Sequence, residues 1–98
     1  MKSRFHELAS AELDEAVAYY DRRTEGLGDL LLAEVRAAVG YIEQYPEGSP
    51  VIARGVRRKI LAKFPFDLFY VVSETEISIV AVAHESRRPG YWRGRLPT

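Results

Sequence analysis

The chain has 98 residues, no cysteine, and 14 Lys/Arg balanced by 14 Asp/Glu. At this length one domain with a single modest core is expected. The missing cysteines exclude disulfides and thiolate-bound metals, the 47% apolar content argues against disorder, and no run of about 18 apolar residues is present to cross a membrane.

The opening stretch MKSRFHELAS is charged and has no apolar h-region, so a cytoplasmic protein is expected. The neutral total hides an asymmetry. Residues 1–50 carry five Lys/Arg against ten Asp/Glu, and residues 51–98 carry nine against four. Such a split accompanies binding to nucleic acid or to an acidic partner, which directs attention to the second half.

In chain order, residues 4–8 read as a short first strand. Ser10 then suits a helix N-cap, and Glu12, Asp14 and Glu15 load the first turns with charge that matches the helix dipole. Leu13, Ala16, Val17 and Tyr20 form one amphipathic stripe of a helix ending near Arg23. Gly26 and Gly28 break the pattern. A second helix is predicted over 29–45, with Leu31, Val35, Ala38, Ile42 and Tyr45 as its stripe and Leu32 and Val39 widening it. YPEGSP ends it. The two helices read as an antiparallel hairpin. Three strands follow: 56–63, a run that turns at Pro65 and continues to Val72, and the most apolar one, 77–84. Short gaps make them an antiparallel meander. The predicted architecture is β-α-α-β-β-β, α+β class, with the first strand and the helical hairpin packed on an antiparallel sheet.

Two places carry candidate chemistry. In the strand 56–63, alternation puts Arg57, Lys59, Leu61 and Lys63 on one side and Val56, Arg58, Ile60 and Ala62 on the other. If the helices cover the second side, Arg57, Lys59 and Lys63 line the open face. The competing reading is a solvated basic face that discourages aggregation. The closing segment AVAHESRRPGYWRGR adds His84, Arg87, Arg88, Tyr91 and Trp92. Guanidinium groups grip phosphates and aromatic rings stack on bases, so this cluster suits nucleic acid or an acidic partner. Alternatively, Tyr91 and Trp92 fold back as a plug for the core.

His84 reads either as an acid–base group or, more commonly at a strand end, as a hydrogen-bonded structural residue; His6 has no assigned role. There is no H-x-x-x-H pair, no Gly-rich phosphate loop and no G-x-S-x-G elbow, so neither metal nor cofactor is expected. Glu12, Asp14 and Glu15 read as structural helix surface.

RRKILAKFPFDLFYVV, ISIVAVAH and RRPGYW, in that order, resemble the RelE/ParE superfamily of type II toxin–antitoxin toxins. Phe64-Pro65-Phe66 and the run from His84 through Trp92 carry the resemblance most specifically. It implies a growth-arresting toxin of a plasmid-stabilisation or addiction module. A small acidic antitoxin would neutralise it, its arm folding on the basic surface. RelE-like members cut mRNA in the ribosomal A site; ParE-like members inhibit DNA gyrase. For a metal-free ribonuclease, the resemblance implies that Arg57 or Lys59 steadies the phosphate and Arg87 the transition state. Tyr91 would stack on a base or move a proton, with His84 as general base. The neutral charge balance and the His-then-Arg order after the last strand favour the ParE-like, non-nucleolytic role. A toxin-like fold retained only as a non-toxic binding module is the third alternative.

Overall fold

The computed structural model describes residues 1–97. The chain runs β1 (Ser3–Phe5), α1 (Glu7–Arg23), α2 (Leu27–Gln44), β2 (Val51–Ala53), β3 (Val56–Ile60), β4 (Phe66–Val72), β5 (Ile77–His84) and a terminal 3-10 turn, Arg93–Arg95. The α+β architecture follows the expected element order, with two differences. The sheet has five strands in the order β1-β5-β4-β3-β2, and β1 runs parallel to β5, so it is mixed rather than antiparallel throughout.

The added strand is β2, which forms a hairpin with β3 around Arg54-Gly55. Both turn residues have positive φ, 40° and 79°, the combination that matches the right-handed twist of a two-residue hairpin. Arginine is a poor signal for such a turn, which is why the hairpin escaped sequence reading.

α1 begins earlier than predicted. His6, not Ser10, is the N-cap, its Nδ1 accepting from the Leu8 N–H at 3.0 Å while its own N–H donates to the Ile79 carbonyl at 2.8 Å. Only three residues of β1 pair with β5, so Leu8 lies in the helix instead of the strand.

The hairpin closes at Gly28, whose N–H donates to the Asp21 carboxylate at 2.7 Å. A methyl group there would collide with the Val17 carbonyl oxygen and the Asp21 side chain. Gly28→Ala is therefore expected to destabilise the fold by about 2 kcal/mol, since the nearest obstacle is backbone that cannot step aside. Chemical denaturation would measure it.

The helices cover one face of the sheet. Leu31, Val35, Ala38 and Ile42 of α2 and Ala9 and Ala16 of α1 pack on Leu68, Tyr70, Ile77, Ile79 and Val82. Tyr45, predicted to close the α2 stripe, is instead 51% exposed beyond the helix end. A second core lies on the opposite face, where Val56, Val80, Ala81 and Ala83 meet Trp92. It owes part of its shape to a bulge: Phe69 pairs with Ala81 and Tyr70 with Ile79, which leaves Val80 as an extra residue in β5.

Candidate functional site

Pairing register decides which cations share a face. Arg57 sits opposite Tyr70 and Lys59 opposite Leu68, both residues of the helix-covered core, whereas Arg58 sits opposite Phe69 of the second core. The expected facing is therefore reversed. Arg57 donates to the carbonyls of Glu47 and Ser49 at 3.1 and 2.7 Å, which ties it to the loop after α2. The Lys59 ammonium lies 4.4 Å from the centroid of the Tyr41 ring on α2. Lys63 falls outside β3 altogether; its N–H, with that of Ala62, is held by the Glu34 carboxylate. Of the β3 cations, Arg58 is the one on the open face.

The closing segment folds back on that open face. After His84 the chain turns at Pro89-Gly90, and the Trp92 ring stacks on Phe69 with centroids 5.1 Å apart and planes 30° from parallel. Trp92 is only 3% exposed. It is a plug for the second core, so its assignment to a contact surface is corrected: no face of the indole is free for a base or a partner.

Tyr91 is committed as well. β1 ends at Phe5, so the edge of β5 beyond Ile79 has no strand beside it. Side chains complete it instead. The Val82 N–H donates to Glu12 Oε1 at 3.0 Å, and Arg95 donates to the Val80 carbonyl at 3.0 Å. Arg95 and Glu12 also pair in bidentate fashion at 2.8 and 3.0 Å, and Tyr91 donates its hydroxyl proton to Glu12 Oε2 at 2.7 Å. The Arg87 guanidinium lies 3.9 Å from the Tyr91 ring centroid and 3.9 Å from Glu12. Glu12, read from sequence as helix surface, is thus the hub that fastens the terminal segment to α1.

Burial works to raise the Glu12 carboxyl, but hydrogen bonds from Arg95, Tyr91 and the Val82 N–H outweigh it and hold the group below its ordinary value. Burial and the Glu12 carboxylate push the Tyr91 phenol well above the ordinary phenol range. It stays protonated and donating. Because the Glu12 value is depressed on folding, its contribution is complete above the ordinary glutamate value and is lost as pH falls through the depressed one. Fluorescence of Trp92, the one tryptophan, should stay constant from neutrality down to about pH 4.3 and change below it, as the terminal segment loosens.

His84 is exposed, its ring edge-on to Phe66 at 5.2 Å. Its Nδ1 accepts from the Ser86 N–H at 3.0 Å and lies 2.8 Å from Ser86 Oγ. That bond puts the proton of the neutral ring on Nε2. Arg88 is exposed.

Two hollows flank these residues. A groove of about 490 Å³ runs beside α1, lined by Tyr19, Tyr20, Arg23, Leu27, His84 and Arg87 among others. A smaller cleft of about 180 Å³ on the open face brings together Arg58, Asp67, His84, Arg87, Arg88 and Trp92. Burial pushes the Asp67 carboxyl above its ordinary value, against the pull of Arg58. Among the described residues no group of three His, Asp or Glu side chains is placed to hold a metal ion, and no helix is long and apolar enough to cross a membrane.

The layering and element order, an N-terminal strand, a helical hairpin and a five-stranded mixed sheet, define an α+β fold that recurs in a solved structure. A chain of a solved structure described as "Chromosomal ParDE TA system from P. aeruginosa" matches with a TM-score of 0.76, covering 86% of this chain and 95% of that one at 23% identity. The likeness is one of fold. No family model matches the sequence, and no curated protein matches it.

Proposed function

We propose that this protein is the toxin of a type II toxin–antitoxin module of the plasmid-stabilisation kind. It arrests growth when free, by ParE-like inhibition of DNA gyrase rather than by cutting RNA. The likeness in fold to a chain of a ParDE system supports the toxin assignment.

The choice of target rests on one observation: the groups a metal-free ribonuclease would use are already engaged. Tyr91 donates its hydroxyl hydrogen bond to Glu12, Arg87 lies over Tyr91 and faces Glu12, and His84 spends Nδ1 on Ser86. Arg57 and Lys59, the candidate phosphate grips, are tied to the helix side. A site for proton transfer needs free donors and acceptors at the reacting atoms. Contact with a protein needs only presented surface. The cognate antitoxin is a small acidic protein whose charge complements the basic second half, and the site of action is the cytoplasm.

Tightly repressed expression of the chain, with pulse labelling of DNA and protein synthesis after induction, tests the reading. DNA synthesis should fall first. Translation falling first would move the assignment to a RelE-like, ribosome-dependent endoribonuclease and make His84, Arg87 and Tyr91 the residues to replace. Unimpaired growth at full expression would leave a binding module with a toxin-like fold.

A further inference from the structure

The open-face cleft contains an unsatisfied pair. Asp67 is 8% exposed and its Oδ1 has no hydrogen-bond partner; the Nε of Arg58, also shut away from solvent, has none either. Both side chains line the cleft, Arg58 from β3 and Asp67 from β4, with Arg87 and Arg88 at its rim. No ion pair joins Arg58 to Asp67. A buried donor and a buried acceptor left unpaired cost free energy, and here both occur in one place.

The two atoms ask for opposite things. An anion would satisfy Arg58 and be repelled by Asp67 and the neighbouring Glu85; a cation would do the reverse. A carboxamide satisfies both, its oxygen accepting from the guanidinium and its NH2 donating to the carboxylate. The half-buried Phe69 ring beside the pair gives a flat apolar surface for the planar amide. The volume, about 180 Å³, admits one side chain rather than a helix. Ile52 at the cleft and the exposed Ile60 on the Arg58 side of β3 add apolar surface of the kind protein partners cover.

We infer that this cleft is a docking pocket for an Asn or Gln side chain presented by a protein partner, grasped between Arg58 and Asp67. The inference rests on the reading above that the chain acts by contacting proteins. Entry of the amide draws the two side chains toward it, which satisfies the orphaned atoms in the bound state.

The test is a nuclear magnetic resonance titration of the full 15N-labelled chain with the capped tripeptide Ac-Ala-Gln-Ala-NH2. Its Glu and Lys counterparts and cytidine 5′-monophosphate serve as comparators. The Gln peptide should shift the Asp67, Phe69 and Ala83 amides and the Trp92 indole N–H, saturating at millimolar concentration. The Glu and Lys peptides should bind at least about tenfold more weakly, because each leaves one buried group unpaired. Asp67→Leu and Arg58→Met should each abolish the shifts; should either variant fail to fold, the ranking of the four ligands on the unaltered chain decides alone. No response to the Gln peptide, an equal response to Glu, or tighter binding of the mononucleotide at the same resonances overturns the proposal. Growth arrest is read separately. A chain that stops DNA synthesis but ignores the Gln peptide keeps the proposed function and loses the pocket.

Discussion

Glu12→Ala is expected to destabilise the protein by about 3 kcal/mol and to release the terminal segment from α1. Glu12 and Arg95 side chains are 16% and 12% exposed, so their bidentate pair is largely withdrawn from water. Removing the carboxylate leaves the Arg95 charge, the Tyr91 hydroxyl and the Val82 N–H without their acceptor. Breaking a buried pair from one side costs more than the pair contributes, because an uncompensated charge stays behind. Chemical denaturation gives the stability change. Hydrogen exchange at Val82 gives the local one, and its protection should fall more than that of Leu68 in β4. A loss below about 1 kcal/mol would mean that Arg95 and Tyr91 simply turn to solvent, and that the fastening is marginal.

Trp92→Ala should be as damaging, about 3–4 kcal/mol, by a different route. The indole is the largest side chain of the second core and covers Phe69 and Ala83 on a sheet face that no helix protects. Its loss opens a cavity and exposes apolar surface at once. For a domain of this size the midpoint of thermal unfolding should drop by more than about 10 °C. Trp92→Phe should recover most of that by retaining the stack on Phe69. If Trp92→Ala is instead stable but loses a partner, the residue belongs to a contact surface after all.

Much of this was visible in the sequence where periodicity and burial agree. The stripe Leu31, Val35, Ala38, Ile42 is buried as its spacing requires, and β5, the most apolar run, lies inside the sheet. Facing was not readable in β3. Arg57, Arg58 and Lys59 are alike in polarity, so alternation separates them into two sets without saying which one the helices cover. That information resides in the partners Tyr70, Phe69 and Leu68, through register. The role of Trp92 depended in the same way on a residue 23 positions earlier, Phe69.

Glu12 is a different case, since a signal was present. It lies three residues after Ala9 and four before Ala16, both buried, and so stands at the margin of the covered stripe. A carboxylate at such a position needs partners. Which partners, Tyr91 and Arg95, no local pattern reveals. β1 was legible as a strand, but its parallel pairing with β5 is a tertiary fact, and the uncovered β5 edge that Glu12 and Arg95 complete follows from it.

The most direct test of the central claim, that the chain blocks a protein and leaves RNA intact, uses one purified preparation in two assays. One follows DNA supercoiling by gyrase; the other follows the integrity of mRNA on translating ribosomes. Inhibited supercoiling with uncut mRNA is the predicted result. Untouched supercoiling together with mRNA cut at the ribosomal A site, and cleavage lost on His84→Ala, would contradict it.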